Sequence, residues 1–340
     1  MDDGNRAPAR GGTLRFKVLL GVVVFVIVAW TAAWFGVASF FEHEVEKALL
    51  AANDGRRAID CRERRIAGYP FRIELRCGDG TRLESPEVAL TLGGLVGVVL
   101  VYDPWRAIVE ARSPATLDRP IPGTAEWEVA HASVSFADFA VDQFRAEIQA
   151  IAFRSDVLPH PVTVDLAGLY LRPVPEKPDD VDLGVRLQNL VPVPDAPSVD
   201  LRARLLLEGA GPLLAGDSAA VERRIMDDGL PVTIDEILIE SGDAKASVGG
   251  TLTVRPDGLV DGDLTVAIAA PGGKLPYLDL VSPDLARAAS GILRNVLPFA
   301  PETRIGETPA RSVPITIRSG RVSAGIVPLG RIPPIVVADL

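Results

Sequence analysis

Few side chains in this sequence could do chemistry, and their spacing argues against it. The three histidines are His43, His131 and His160. A metal site needs several His, Cys or carboxylate ligands at short spacing, and none of the three has such neighbours. Gly216-Asp217-Ser218 has the residue types of a serine nucleophile block. It opens a predicted helix, however, where Asp217 or Ser218 serves as the N-cap, and no partner histidine follows it. There is no Gly-x-Ser-x-Gly elbow and no phosphate-binding glycine loop. Asp179, Asp180 and Asp182 are dense enough to suggest calcium, but the glycine and distal glutamate of a calcium loop are missing. A solvated loop is expected there. The reading is therefore a non-enzymatic protein with no catalytic residue, no metal ligand and no cofactor.

Cys61 and Cys77 are the only cysteines. Gly68-Tyr69-Pro70 reads as a turn midway between them. If Cys61–Ala67 and Phe71–Cys77 form a hairpin about that turn, the two sulfurs face each other. A metal or redox pair needs closer cysteines or further ligands. The spacing predicts a structural disulfide in an oxidising compartment. Arg62, Arg64, Arg65, Arg72 and Arg76 share this hairpin, as a solvated basic face or a contact for lipid headgroups or an acidic partner.

What positions these residues is read first at the N-terminus. Val18 to Phe41 carries no charge. At about 1.5 Å per residue a helix of that length crosses a hydrocarbon core of about 30 Å with some tilt. It is too long for the apolar stretch of a cleaved signal peptide, and no clean cleavage site follows. Arg6, Arg10, Arg15 and Lys17 precede it, and Glu42, Glu44 and Glu46 follow. Basic residues stay in the cytoplasm. The sequence therefore predicts a cytoplasmic tail at 1–17, a transmembrane helix at 18–41 and an extracytoplasmic, periplasmic part at 42–340.

The rest alternates apolar and polar residues, the pattern of antiparallel strands with one face in water. Val181, Leu183, Val185 and Leu187 form one such run, and Val199, Leu201, Ala203, Leu205 and Leu207 another. Val162, Val164 and Leu166, and Val313, Ile315 and Ile317, repeat the pattern. Val248, Leu252 and Val254, then Pro256-Asp257-Gly258, then Leu264, Val266 and Ile268, read as a hairpin. These six apolar residues are the candidate lining of an apolar groove. Helices are expected only as the anchor's continuation towards Leu50, at about Ala215–Asp228, and at about Tyr277–Leu297. The last is amphipathic and suits the role of a sheet cover. The predicted fold is mainly β: a long curved antiparallel sheet with a few covering helices, preceded by one transmembrane helix. Pro173–Pro178 and Val191–Pro194 read as irregular connections, so the domain either divides into two halves near 173–195 or continues as one sheet.

The formal net charge is −10, with 35 basic residues among 340 and no long basic run. Nucleic acid needs a basic surface and is excluded as a partner.

Taken together, the single anchor, the first cysteine, Gly68-Tyr69-Pro70-Phe71-Arg72 and the second cysteine resemble an uncharacterised bacterial envelope family, domain of unknown function 2125. The hairpin Gly249-Gly250-Thr251-Leu252 to Asp261-Gly262-Asp263-Leu264 and the segment Pro328–Pro334 carry the same likeness. The strand grammar is similar to secretion-pathway N components and AsmA-like envelope proteins, whose curved sheets have an apolar concave side. The resemblance implies a bacterial inner-membrane protein with a periplasmic domain and supplies no activity. Two functions are expected from these features. One is binding or passing a lipid or other apolar ligand along the sheet. The other is an envelope or secretion-system scaffold working through contacts with envelope proteins.

Overall fold

The structure is a computed structural model, and it describes residues 12–52, 58–85, 88–137, 140–194, 197–215, 217–270, 291 and 296–335. The amphipathic helix expected over Tyr277–Leu297 lies almost wholly outside the described residues.

The apolar N-terminal stretch forms helix α1 (Gly12–Ala52), which runs past Leu50 as expected. Its segment Phe16–His43 is long and apolar enough to cross a membrane, with a mean hydropathy of 2.5. Short strands follow first: β1 (Ala58–Asp60), β2 (Arg65–Ala67), β3 (Arg72–Cys77), β4 (Thr81–Glu84), β5 (Ala89–Leu92), β6 (Leu95–Leu100), β7 (Asp103–Ala111), β8 (Ala115–Arg119), β9 (Gly123–Glu126) and β10 (Val129–Ala137). Longer strands follow: β11 (Ala140–Arg154), β12 (Val162–Val174), β13 (Lys177–Leu190), β14 (Val199–Leu207), β15 (Leu230–Ser241), β16 (Ala244–Val254) and β17 (Val260–Ala269), then β18 (Glu302–Ile305), β19 (Thr308–Arg318), β20 (Arg321–Ala324) and β21 (Val327–Arg331). Helix α2 (Ser218–Asp228) lies between β14 and β15.

All these strands join one 21-stranded antiparallel sheet. Its main run pairs β2, β3, β6, β7 and β10 through β17, then β19, β20 and β21. A second arm, β1, β4, β5, β8 and β9, leaves from the far end of β11.

The two arms are halves of the same bent strands. β3 leads into β4, β5 into β6, β7 into β8 and β9 into β10, and each pair turns at one shared crease. Hydrogen bonds continue across it: Gly80 N–H donates to the Leu92 carbonyl at 3.0 Å, and Arg112 N–H to the Gly94 carbonyl at 2.9 Å. The crease demands glycine. Gly94 has φ +138, and a Cβ on Gly93 would sit 2.7 Å from the Ser113 carbonyl oxygen, closer than side chains are tolerated. Trp127 pins the outer side, its indole N–H donating to the Ala111 carbonyl at 3.0 Å.

The proline-rich stretch at 173–178 is strand, with only Pro175-Glu176 as the turn. A proline needs a position with no ladder bond to give. Pairing of β12 with β11 ends at Leu171, and pairing of β13 with β14 begins only at Val181. Pro173 and Pro178 therefore fall where one edge is bare. The sheet is continuous through 173–191. Val191 bridges to Thr163, and the chain bends only at 192–194.

Candidate functional site

Directly opposed residues of an antiparallel pair share a face, so the registers trace each side of the sheet. One ladder runs Val134, Phe144, Leu171, Leu183, Leu205, Ile234, Gly250, Leu264, Ile315. The next runs Ala132, Ala146, Leu169, Val185, Ala203, Ile237, Val248, Val266, Val313. A third runs Ala130, Ile148, Ala167, Leu187, Leu201, Ile239, Ala246, Ile268 and ends on Arg311. No other member of the three ladders is ionisable. At about 4.8 Å per strand they extend on the order of 40 Å.

The face is closed at one end and open in the middle. Val260, Val313, Ile315 and Ile317 are buried with Ala300 and Ala324, and Leu252, Leu264 and Val266 pack against them. Arg311 secures this cover, its guanidinium donating to the Pro298 and Ala300 carbonyls at 2.8 and 3.1 Å. Val254 and Leu230 are capped by Val221 and Ile225 of α2. Over β12 to β15 the face is only partly covered: Leu169 and Ile239 remain 36% and 37% exposed, while Ala203 and Ile234 on the same face are buried. Of the residues expected to line a groove, Val248, Leu252, Val254, Leu264, Val266 and Ile268 do share one face. Most of them sit under cover, however, with Ile268 buried. The open stretch lies on strands whose alternation was legible but which were not singled out for the groove. Val162, Val164 and Leu166 lie on the opposite face from Leu169 and Leu171, because the apolar phase of β12 switches at Ala167.

The other face is wet and zipped by cross-strand ion pairs. Arg172 meets Asp182 at 2.9 Å, Arg202 meets Glu240 at 3.1 Å and Arg318 meets Asp263 at 3.0 Å. Lys245 lies 2.7 Å from Glu240. Its hydrogen bond, with that of Arg202, lowers the Glu240 pKa. The Arg318 hydrogen bond likewise lowers that of Asp263. The Tyr170 hydroxyl donates to Glu147 at 2.6 Å, and this bond raises the phenol's pKa.

The disulfide between Cys61 and Cys77 is present, with Cα atoms 5.0 Å apart. Its hairpin register differs from the symmetric one expected. Arg65 opposes Arg76 and Ala67 opposes Glu74, so Cys61 lies outside the paired strands. A tight turn at Arg62-Glu63, held by Gly78 N–H donating to the Arg62 carbonyl at 2.6 Å, returns it to Cys77. The arginines are not simply a solvated cluster. Glu74 is only 3% exposed, and Arg72 and Arg76 both pair with its carboxylate.

The Gly68–Arg72 turn has a partner the sequence reading missed: the anchor helix. The Trp30 indole N–H donates to the Pro70 carbonyl at 3.1 Å, and the Trp34 indole N–H to the Arg72 carbonyl at 3.1 Å. The Thr31 hydroxyl gives its proton to the Ile27 carbonyl at 2.7 Å. It therefore accepts from the Tyr69 hydroxyl, 2.8 Å away. Indole and hydroxyl groups on one stripe of an apolar span, four residues apart, were the signal available.

The residues screened for chemistry lie apart. His43 contacts the Ser39 carbonyl on its own helix, and His131 stands 3.8 Å from Glu147. Asp217 caps α2, accepting from Ala220 N–H at 2.9 Å. Asp179, Asp180 and Asp182 are strand residues of β13 rather than a solvated loop. Asp180 is buried and accepts from Gly209 N–H at 2.8 Å, holding the β14–α2 connection to the sheet. Among the described residues no group of three His, Cys, Asp or Glu side chains could hold a metal ion.

The model of a family described as an uncharacterized protein conserved in bacteria, DUF2125, matches residues 34–333. No curated protein and no solved structure matches the chain.

Proposed function

The chain belongs to the DUF2125 family of bacterial proteins, and on that premise we propose that it holds a lipid acyl chain, or another long apolar chain, along the open stretch of its sheet. It acts as a membrane-anchored periplasmic protein of the inner membrane and catalyses no reaction. The observation that carries this reading is the set of three contiguous apolar ladders, partly uncovered over β12 to β15 at Leu169 and Ile239. Apolar surface left in water costs about 25 cal/mol per Å², and a contiguous exposed apolar patch marks a binding surface. Adjacent ladders lie about 7 Å apart along the strands, so the three together are wide enough for acyl chains lying across the strands. The disulfide supports an oxidising compartment, and the basic flank of α1 supports a cytoplasmic N-terminus.

The test is a photo-crosslinking amino acid placed in the full chain in its native membrane. At Leu169 it is expected to capture lipid, seen as a lipid-sized mass on the Leu169 peptide. At Arg202, on the wet face, it is expected to capture none. Protein adducts alone at Leu169 would replace this reading with the envelope scaffold. Equal lipid capture at both positions would remove the binding face.

A further inference from the structure

The anchor and the disulfide hairpin together place part of the domain inside the bilayer. We propose that the Tyr69-Pro70-Phe71 turn is embedded in the outer leaflet beside α1, so that helix and turn form one membrane-bound unit. The partner is the phospholipid interface that the anchor itself crosses. This inference requires only that α1 spans the membrane, and it stands whether or not lipid occupies the ladders.

The depth follows from the helix. At about 1.5 Å per residue, Trp30 lies about 18 Å and Trp34 about 24 Å beyond Val18. A hydrocarbon core is about 30 Å thick. The carbonyls of Pro70 and Arg72 are hydrogen-bonded to these two indoles. The turn is thus tied to the outer half of the span and not to its end. The helix stripe agrees: Trp34 and Ala38 are buried, while Phe25 and Phe40 on the other sides stay 71% and 67% exposed.

The turn's own chemistry suits that depth. Tyr69 and Phe71 are 48% and 62% exposed, large apolar area that water disfavours and lipid accepts. The indoles, the Tyr69 hydroxyl and the Arg72 guanidinium, which pairs with Glu74, find partners within the unit. Both indoles have carbonyl acceptors, and the Tyr69 hydroxyl has Thr31. Unsatisfied polar groups are what hydrocarbon penalises most. The adjacent turn adds Tyr102, 74% exposed, and Val101 N–H donates to the Phe71 carbonyl at 3.0 Å. Asp103 follows it directly, which sets Tyr102 at the headgroup boundary, where tyrosine is favoured.

The experiment uses the full chain in vesicles of phosphatidylethanolamine and phosphatidylglycerol. The native cysteines are joined, so one introduced cysteine is the only free thiol for a nitroxide label. Collision with oxygen, enriched in lipid, is compared with collision with a nickel chelate, confined to water. Phe25→Cys gives the lipid reference, and Val157→Cys, 66% exposed at the far end of β11, gives the water reference. A label at Phe71→Cys is expected to show a several-fold higher oxygen-to-nickel ratio than at Val157→Cys, approaching Phe25→Cys. A ratio equal to that at Val157→Cys overturns the proposal. The unsubstituted chain guards against a disturbed turn. A phospholipid with a carbene precursor just below its headgroup is expected to label residues 68–72 as well as α1. Labelling confined to α1 overturns the proposal by the second route.

Discussion

The indole of Trp34 and the backbone of Arg72 are joined by a 3.1 Å hydrogen bond, and the Trp34 ring meets Tyr69 edge to face at 5.5 Å. Helix α1 is therefore packed against the domain and is more than an apolar segment joined to it. Trp34→Phe keeps an aromatic ring and removes the donor. It is expected to cost about 1 kcal/mol, and Trp34→Ala about 3 kcal/mol or more because the ring is buried. Thermal melts of the full chain in detergent check the order, and melts of both variants equal to that of the unsubstituted chain would show that the contact contributes nothing.

The disulfide ties the hairpin bearing that turn. A cross-link over a loop of this length, with its cysteines 16 positions apart in sequence, stabilises by about 3 kcal/mol. Cys61→Ser, Cys77→Ser and the double variant are expected to lose stability to the same degree, and reductant is expected to lower the unsubstituted chain to their level. A variant unaffected in a denaturant titration would show the bond to be incidental.

Glu74 is the buried carboxylate between Arg72 and Arg76. Glu74→Gln removes the charge that both arginines meet, on a strand pair that also sets Arg65 opposite Arg76. Loss of a buried charged acceptor costs about 1–3 kcal/mol. Chemical denaturation of Glu74→Gln checks this, and restoration by a second change, Arg76→Gln, would identify charge rather than shape as the cause.

Much of this fold was legible because the strands obey one rule. Val181 to Leu187 and Val199 to Leu207 alternate without interruption, and both take their places in the ladders. The rule fails where a bulge intervenes. Ile234 and Ile237 are three residues apart yet share the apolar face, because the register shifts between them. That shift hid β15 from a period-two reading. It also fails at the crease, where β11 carries Phe144, Ala146 and Ile148 on one side, then Ile151 and Phe153 on the other, with Ala150 at φ +53 between them. Phe153 there faces the second arm through Ala125. The open part of the face could not be read at all, since cover depends on where segments such as Leu297–Ala300 settle. No local pattern records that.

The wet face carries a pH signature. Glu240 accepts from Lys245 and Arg202, and its pKa is lowered in the folded chain. A depressed carboxylate stabilises the fold fully above its ordinary, unfolded value. That contribution is lost as pH falls through the lower, folded value. The stability difference between the unsubstituted chain and Glu240→Gln is therefore expected to be largest near neutral pH and to shrink on acidification. Because the Glu240 side chain keeps about a quarter of its surface in water, screening holds the difference small, on the order of 1 kcal/mol or less. Denaturant midpoints of the two proteins at matched pH values measure it. A difference that stays constant from neutral to acid pH would mean that the carboxylate charge is not what the Lys245 and Arg202 contacts stabilise.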